Sequence, residues 1–153
     1  MSDTPTIRPV RPEDHAQWLP LWDGYNAFYG RVGKTALAPA ITATTWARFF
    51  DGYEPMGALV AERDGVLLGL VHYLYHRTTL AIAPYCYLHD LFTTVEARGQ
   101  GVGRALIEAV YAEARAARAA RVYWLTHNTN ATARVLYDKL AEESGFLVYR
   151  HPL

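Results

Sequence analysis

The chain has 153 residues, 51% of them apolar, and its 15 Lys and Arg balance its 15 Asp and Glu. Zero net charge argues against a nucleic-acid module and against charge-driven binding to anionic membranes. No apolar run reaches the about 18 residues of a membrane span, so one domain over 1–153 with a substantial core is expected.

The opening stretch, MSDTPTIRPVRPED, has no apolar segment of the kind a secretory leader needs, which points to a cytoplasmic protein. Within it, residues 6–10 read as a short strand. Residues 12–31 read as a helix with Pro12 in the first turn and Trp18, Leu21, Trp22, Tyr25 and Tyr29 at helical spacing; Pro20 is placed to kink or split it. The stretch VGKTALAPAI has no periodicity and reads as a loop before a second helix over 42–53. In 57–77, Asp64-Gly65 separates two apolar runs, a hairpin signal. A third strand follows over 84–94. It carries Cys86, which has no partner for an internal disulfide and reads as a core filler rather than a nucleophile. A helix from about 101 to 118 buries Val102, Ala105, Leu106, Ala109, Val110 and Ala117. A buried strand over 121–127, a helix over 130–144 and a last strand over 145–150 complete the order. The pattern is a mixed α/β fold with a central sheet of about six strands and flanking helices, antiparallel early and with βαβ crossovers late.

The stretch ARGQGVGRALIEA, residues 97–109, sets three alternating glycines, Gly99, Gly101 and Gly103, before a helix. Glycine lets several backbone N–H groups converge on one point, and the helix dipole adds positive potential there. Arg98 and Arg104 bracket the turn, so residues 98–104, including Gln100 and Val102, suit a pyrophosphate. The P-loop pattern fails because no Lys follows, and the dinucleotide fingerprint fails because Arg104 occupies its third glycine position. A plain strand-to-helix turn rich in glycine is the bland alternative.

The stretch DLFTTVEARGQGVGRALIE resembles the acetyl-CoA-binding motif of the GNAT superfamily of N-acetyltransferases, with Arg98, Gly101 and Gly103 in the matching places. Farther on, Asn130, Ala133, Leu136, Tyr137, Gly145 and Phe146 match the superfamily's second signature. The resemblance covers 6–150. A narrower likeness, in WLPLWDGYNAFYGR, YLHDLFT and YWLTHNTNATARVLYDKLAEESGF, is to the branch holding diamine acetyltransferases and the fungal histone and D-amino-acid acetyltransferases.

The resemblance implies an enzyme that moves the acetyl group of acetyl-CoA, its co-substrate, to a primary amine of an amino acid, a polyamine or a basic peptide tail, with no metal. In such proteins the strand before the loop splays from its neighbour and frees backbone groups for the pantetheine arm and the thioester carbonyl, a role falling here on Leu91, Phe92 and Thr93. Asn130 is implied as a pantetheine contact; capping the helix is its other role. Tyr137 is implied as general acid: a phenol of pKa about 10 can protonate a departing thiolate whose thiol pKa is about 8.5. Simple packing is its alternative.

The base is less defined. Diamine acetyltransferases often carry Glu-Asp where this chain has His89-Asp90, and the change weakens the case for a polyamine acceptor. His89 can itself accept a proton, or it can be a structural histidine. In a regular strand Asp90 points away from His89, so at most one of the two faces substrate. Tyr25, Tyr29, Arg31 and Tyr73, with His89, are the expected acceptor walls; Arg31 is suited to a carboxylate, a solvated surface arginine being the alternative. His72 and His76 lie on one face of a strand without a carboxylate or cysteine partner, a pattern that fits pocket lining better than zinc. His127 receives no role. The apolar stretch FLVYRHPL, as an edge strand, invites pairing with a second copy, so a homodimer is expected. A non-catalytic acyl-CoA-binding domain is the competing reading.

Overall fold

A computed structural model describes residues 3–153; Met1 and Ser2, the first two residues of the stretch read above for a leader, lie outside it. Five strands form one sheet in the order β1-β2-β3-β4-β5: β1 Thr6–Pro9, β2 Met56–Arg63, β3 Val66–His76, β4 Tyr85–Thr93 and β5 Arg121–Tyr123. The first four run antiparallel and β5 runs parallel to β4. The helices are α1 His15–Phe28, α2 Pro39–Arg48, α3 Val102–Ala116 and α4 Ala131–Leu140.

Local chemistry sets the turns. Asp64 (φ 52) and Gly65 (φ 79) take the left-handed conformation that a two-residue hairpin of matching twist requires, so β2 and β3 pair as expected. Pro12 opens a single 3-10 turn, Pro12–Asp14, and α1 then continues through Pro20 without splitting. Arg8 on β1 ties this entry down: its Nη1 and Nη2 donate to both Asp14 oxygens at 2.7 and 2.9 Å, and its Nε donates to Glu62 on β2 at 2.6 Å.

Each face of the sheet carries a core. On one side α1 and α2 pack Trp18, Leu21, Trp22 and Tyr25 against Val60, Leu67 and Leu70. Trp18 sits at the centre, stacked on Trp22 and crossed by Trp46 of α2. On the other side α3 packs Val102, Leu106, Ile107 and Val110 against Leu59, Val71, Tyr73, Cys86 and Leu88. Leu136, Tyr137 and Leu140 of α4 lean on this second core, and Tyr111 on α3 donates to the Leu140 carbonyl at 2.9 Å. Cys86 is buried there, and burial pushes its thiol up to about 11.

The last strand expected from the sequence does not form. Residues 145–150 are in no strand, and the sheet has five strands rather than six. A strand needs a neighbour to take its N–H and C=O groups, and among the described residues no backbone hydrogen bond pairs this segment with the sheet. Its apolar side chains stand in solvent: Phe146 is 90% exposed, Leu147 79%, Val148 65% and Tyr149 91%.

Candidate active site

β4 pairs with β3 along its whole length, but its pairing with β5 ends at Tyr87↔Tyr123. From residue 88 to 93 the β5-facing edge of β4 therefore has no strand partner among the described residues, which leaves the backbone groups of Leu91 and the Thr93 N–H free; Phe92, expected to share this role, turns its N–H and C=O to Leu70 on β3 instead. Their side chains are used elsewhere. Leu91 packs toward α3, and Phe92 packs toward α1, where Gly24 makes room: a Cβ there would lie 2.7 Å from the Phe92 ring.

This edge leads through a 3-10 turn, Val95–Ala97, into the glycine stretch. Gly99 (φ 74) and Gly101 (φ 81) are left-handed, a conformation other residues rarely adopt. Gly101 is the N-cap of α3, and the first intrahelical bond runs from Ala105 N–H to Gly101 O at 3.0 Å. The amides of Val102, Gly103 and Arg104 thus have no intrahelical acceptor and point out of the helix N-terminus. A Cβ at Gly103 would make only ordinary contacts, 3.7 Å from Leu136 and 3.9 Å from Thr93.

The side chains of the turn divide by role. Arg98 lies over the Phe92 ring at 5.9 Å and its Nε donates to Thr93 O at 3.3 Å, so the guanidinium stays beside the turn. Val102 is core. Gln100 accepts from Arg63 Nη2 at 3.0 Å and donates to Glu96 O at 3.0 Å, and Arg104 is bonded to Glu108 at 2.9 Å. For Gln100 and Val102 only the backbone N–H faces the turn. Arg63, at the end of β2, adds a positive charge that sequence reasoning missed. Left-handed glycines, unbonded amides, local cations and a free strand edge leading to them fit a pyrophosphate with an extended, amide-bearing arm.

On the α1 side the chemistry gathers around His89. The β3–β4 register pairs His72 with Asp90 and Tyr73 with Leu88, so His89 is the extra residue of a bulge. The bulge turns both His89 and Asp90 to the α1 face, and the regular alternation that would have separated them does not apply. Asp90 Oδ1 accepts from His89 Nδ1 at 2.8 Å, and Oδ2 accepts from His72 Nδ1 at 2.9 Å. The Tyr25 hydroxyl is raised by its burial first and then by the nearby Asp90 charge. Burial would raise the Asp90 carboxyl, but the bonds from His72 and His89 outweigh it and hold Asp90 well below the usual carboxylate range. His89 is raised above the ordinary histidine value, first by its bond to Asp90; its burial and Arg31 oppose the rise.

Arg31 follows α1 and is fixed in place. Its Nε donates to Asn26 Oδ1 at 2.7 Å, and buried Asn26 donates onward to Trp22 O at 2.9 Å. The guanidinium lies over the Tyr25 and Tyr29 rings at 5.7 and 5.3 Å. A cleft of about 300 Å³ beside it is lined by Asp23, Asn26, Arg31, Leu37 and Thr42. Tyr29 lies between the two halves of the site. It is close enough to Asp90, Tyr87 and Tyr137 for their charges to interact, and it lines a second cleft of about 330 Å³ with Phe28, His127, Thr129 and Asn130. Tyr137, on α4, packs its ring 5.4 Å from Trp124, and burial pushes its hydroxyl up to about 12.

Asn130 holds the N-cap position of α4, yet its side chain makes no cap; it donates to Thr126 Oγ1 at 3.3 Å on the cleft wall. His127 is bonded to Thr129 Oγ1 at 2.6 Å on the same wall.

Three sequence expectations do not meet the site. Tyr73 is core on the α3 side, its hydroxyl 2.6 Å from where a Cβ on Gly57 would sit, so it lines no acceptor wall. His72 is 1% exposed under Trp18, Trp22 and Phe49, so it cannot touch a ligand directly. His76 lies at the far end of β3, bonded to the Tyr123 hydroxyl at 2.6 Å. No group of three or more His, Cys, Asp or Glu side chains that could hold a metal occurs among the described residues. Besides Arg63, two residues were missed. Asn26 was detectable as a polar residue on the apolar face of α1, and Tyr87, its ring 4.9 Å from His89, as the same-face neighbour two positions before it.

Comparison with known proteins agrees with this geometry. Residues 18–141 match the model of the acetyltransferase (GNAT) family. The chain is 36% identical over 152 residues to the D-amino-acid N-acetyltransferase HPA3 of Saccharomyces cerevisiae, covering 98% of this chain and 92% of that one. Among solved structures, a probable acetyltransferase superposes with a TM-score of 0.82 at 24% identity over 97% of both chains. AAC(6')-Iy, solved with the bisubstrate analogue CoA-S-monomethyl-acetylneamine, superposes at 0.80 and 17% identity over 97% of this chain and 98% of its own; at such identities these two show the fold. The chain belongs to the acetyltransferase (GNAT) family and is an acetyl-CoA-dependent acyltransferase.

Proposed function

We propose that the chain transfers the acetyl group of acetyl-CoA to the primary amine of a small molecule, an amino acid first, by direct attack of nitrogen on the thioester. The whole of 1–153 acts as one N-acetyltransferase domain. The observation that carries the reading is the free β4 edge, 88–93, running into the amide turn at 98–104 with His89 on the same strand.

Acetyl-CoA supplies the activated acyl group. The amides of residues 99–104, with Arg98, receive its pyrophosphate, and Asn130 and the backbone of Leu91 and Thr93 hold its arm. One of those backbone N–H groups donates to the thioester oxygen as it gains charge, which in a dry site lowers a barrier by roughly 3 kcal/mol. His89 Nε2 removes a proton from the incoming ammonium, which has a pKa of about 10 and is otherwise unreactive. The freed nitrogen bonds to the carbonyl carbon, the C–S bond breaks, the Tyr137 hydroxyl gives its proton to sulfur, and the second proton leaving the nitrogen restores that hydroxyl.

Arg31 bears on the acceptor. A guanidinium preset by Asn26 beside a cleft suits a carboxylate, and Tyr25 and Tyr29 complete that wall. The yeast relative named for D-amino acids supports the same choice. The test is release of CoA thiol from acetyl-CoA with amino acids of both hands, polyamines, aminoglycosides and basic peptides. Turnover with free amino acids and none with their decarboxylated amines is the expected result. Polyamines or peptides as the better acceptors would overturn the carboxylate reading, and no thiol release with any amine would overturn the activity.

The homodimer belongs to the same proposal. The apolar run 146–149 stands exposed, and the outer edge of β5 has no strand partner among the described residues. A second copy can take this segment at its sheet edge. Light scattering at micromolar concentration is expected to give twice the chain mass, and removal of 145–153 to give the chain mass alone. A cytoplasmic location is proposed with it, in keeping with one buried, unpaired cysteine.

A further inference from the structure

The site holds a buried carboxylate, Asp90, that is in the lining of neither cleft. Asp90 is 7% exposed, and a carboxylate so placed is costly unless well bonded. A regular strand would have turned it into the α3 core; the bulge at His89 brings it instead beneath the proposed base.

Its partners fix the proton positions. An indole N–H is a donor only, and Trp18 Nε1 donates to His72 Nε2 at 3.1 Å. His72 Nε2 is therefore a lone pair, and the His72 proton sits on Nδ1, donated to Asp90 Oδ2. An ionised carboxylate only accepts, so His89 Nδ1 likewise carries its proton toward Oδ1. His89 Nε2 is left with its lone pair outward, and no hydrogen bond within the protein occupies it among the described residues. The rings of Trp18, Trp22 and Phe49 close over His72, with centroids at 5.9, 5.3 and 4.6 Å, and keep this end of the chain of bonds dry.

We infer that Trp18, His72 and Asp90 form a positioning relay that sets the tautomer and ring orientation of His89, so that Nε2 is the atom that takes the proton of the acceptor amine. Asp90 is a positioning residue, not a catalytic one. The inference rests on the reading of His89 as the base. The groups facing His89 or its partner Asp90 are Tyr87 on β4, His72 on β3, Tyr25 on α1, Tyr29 just after it, and Arg31 beyond. Asp90 raises the affinity of His89 for a proton and Arg31 lowers it.

Asp90→Asn is the informative substitution. With His72 still donating from Nδ1, the amide oxygen introduced there accepts that bond and the amide NH2 faces His89 Nδ1, which forces the His89 proton onto Nε2. In the proposed direction, kcat/KM at neutral pH falls roughly 10²-fold or more. The acid limb of its pH profile moves to lower pH because His89 has lost the group that raised it, and acetyl-CoA affinity is unchanged. Because Asp90→Asn can also lower stability, the native chain is examined in parallel by long-range 1H–15N correlation of the imidazoles, above the titration of His89. Protonated Nδ1 and bare Nε2 on His89 support the relay; the reverse overturns it. An unmoved acid limb in a folded Asp90→Asn variant overturns it too. His89→Ala separates the two levels: full turnover there removes the base reading and the relay with it, whereas lost turnover with an unmoved limb in Asp90→Asn removes the relay alone.

Discussion

Arg31 and Asn26 form one unit: the Arg31 Nε donates to the Asn26 Oδ1 at 2.7 Å, and Asn26 is itself buried and bonded to the Trp22 carbonyl. A long, flexible cation is thereby fixed by a helix residue, so little conformational freedom is lost when it takes a second partner. Arg31→Gln is expected to raise KM for amino-acid acceptors roughly 10- to 100-fold, the loss of one charge-assisted pair, with kcat less affected. Amines that lack a carboxylate should show no such rise. Measuring both acceptor classes on one variant checks the assignment, and an equal rise for both would mean that Arg31 only shapes the cleft.

Tyr137→Phe keeps the ring against Trp124 and removes only the hydroxyl. Turnover should fall roughly 10²-fold while acetyl-CoA affinity, read by calorimetry, stays close to that of the parent. Unchanged turnover would leave Tyr137 as a packing residue. Because the hydroxyl stands at about 12, it stays protonated through the neutral range, and no basic limb below that value should trace to it.

The pH profile of the parent enzyme follows from His89. A base works deprotonated, so kcat/KM rises as pH passes its pKa, and the bond to Asp90 raises that value. The midpoint of the rising limb should therefore lie above the about 6.5 of an ordinary histidine. Rates measured with saturating acetyl-CoA and dilute acceptor test this. A midpoint below that value would mean that Arg31 and burial outweigh Asp90 in solution.

Much of this was legible where the signal is local. The Asp64-Gly65 turn, the glycine stretch and the apolar face of α3 each follow from residues within a few positions of one another. The first two take the backbone turns read for them; the buried face of α3 gains Ile107 and Ala114, and Ala117 at its end is exposed. What failed depends on the partner rather than the segment. The stretch 145–150 has strand composition, but a strand exists only where it meets a neighbour's ladder, and this segment does not lie against the open edge of β5. The His89 bulge is set by the register with β3, so alternation along β4 alone placed Asp90 on the wrong face. His72 read as pocket lining because nothing nearby in sequence reveals Trp18, 54 positions away, as its hydrogen-bond donor. Tyr73 failed for the same reason, since Gly57 on the neighbouring strand gives its ring a buried place.

The positive potential of the amide turn is set by where α3 begins, and Gly69 on β3 fixes that. A Cβ at residue 69 would lie 2.8 Å from the Phe92 carbonyl oxygen, 3.1 Å from Leu106 and 3.2 Å from Val102. The first contact is with backbone, which cannot swing aside, and the other two are with the buried first turns of α3. Gly69→Ala must therefore push β4 or the N-terminal end of α3 away from β3. Overpacking of this kind costs about 1–3 kcal/mol. Because the displaced elements are the free strand edge and the helix start, the same change should weaken acetyl-CoA binding beyond what lost stability explains. Gly52→Ala is the matched control, since a Cβ there meets nothing within 4 Å. The expected outcome is a lower denaturation midpoint and a higher acetyl-CoA Kd for Gly69→Ala, measured where both variants are fully folded, with neither changed in Gly52→Ala. A destabilised Gly69→Ala that binds acetyl-CoA as tightly as its parent would show that the turn holds its geometry independently of β3.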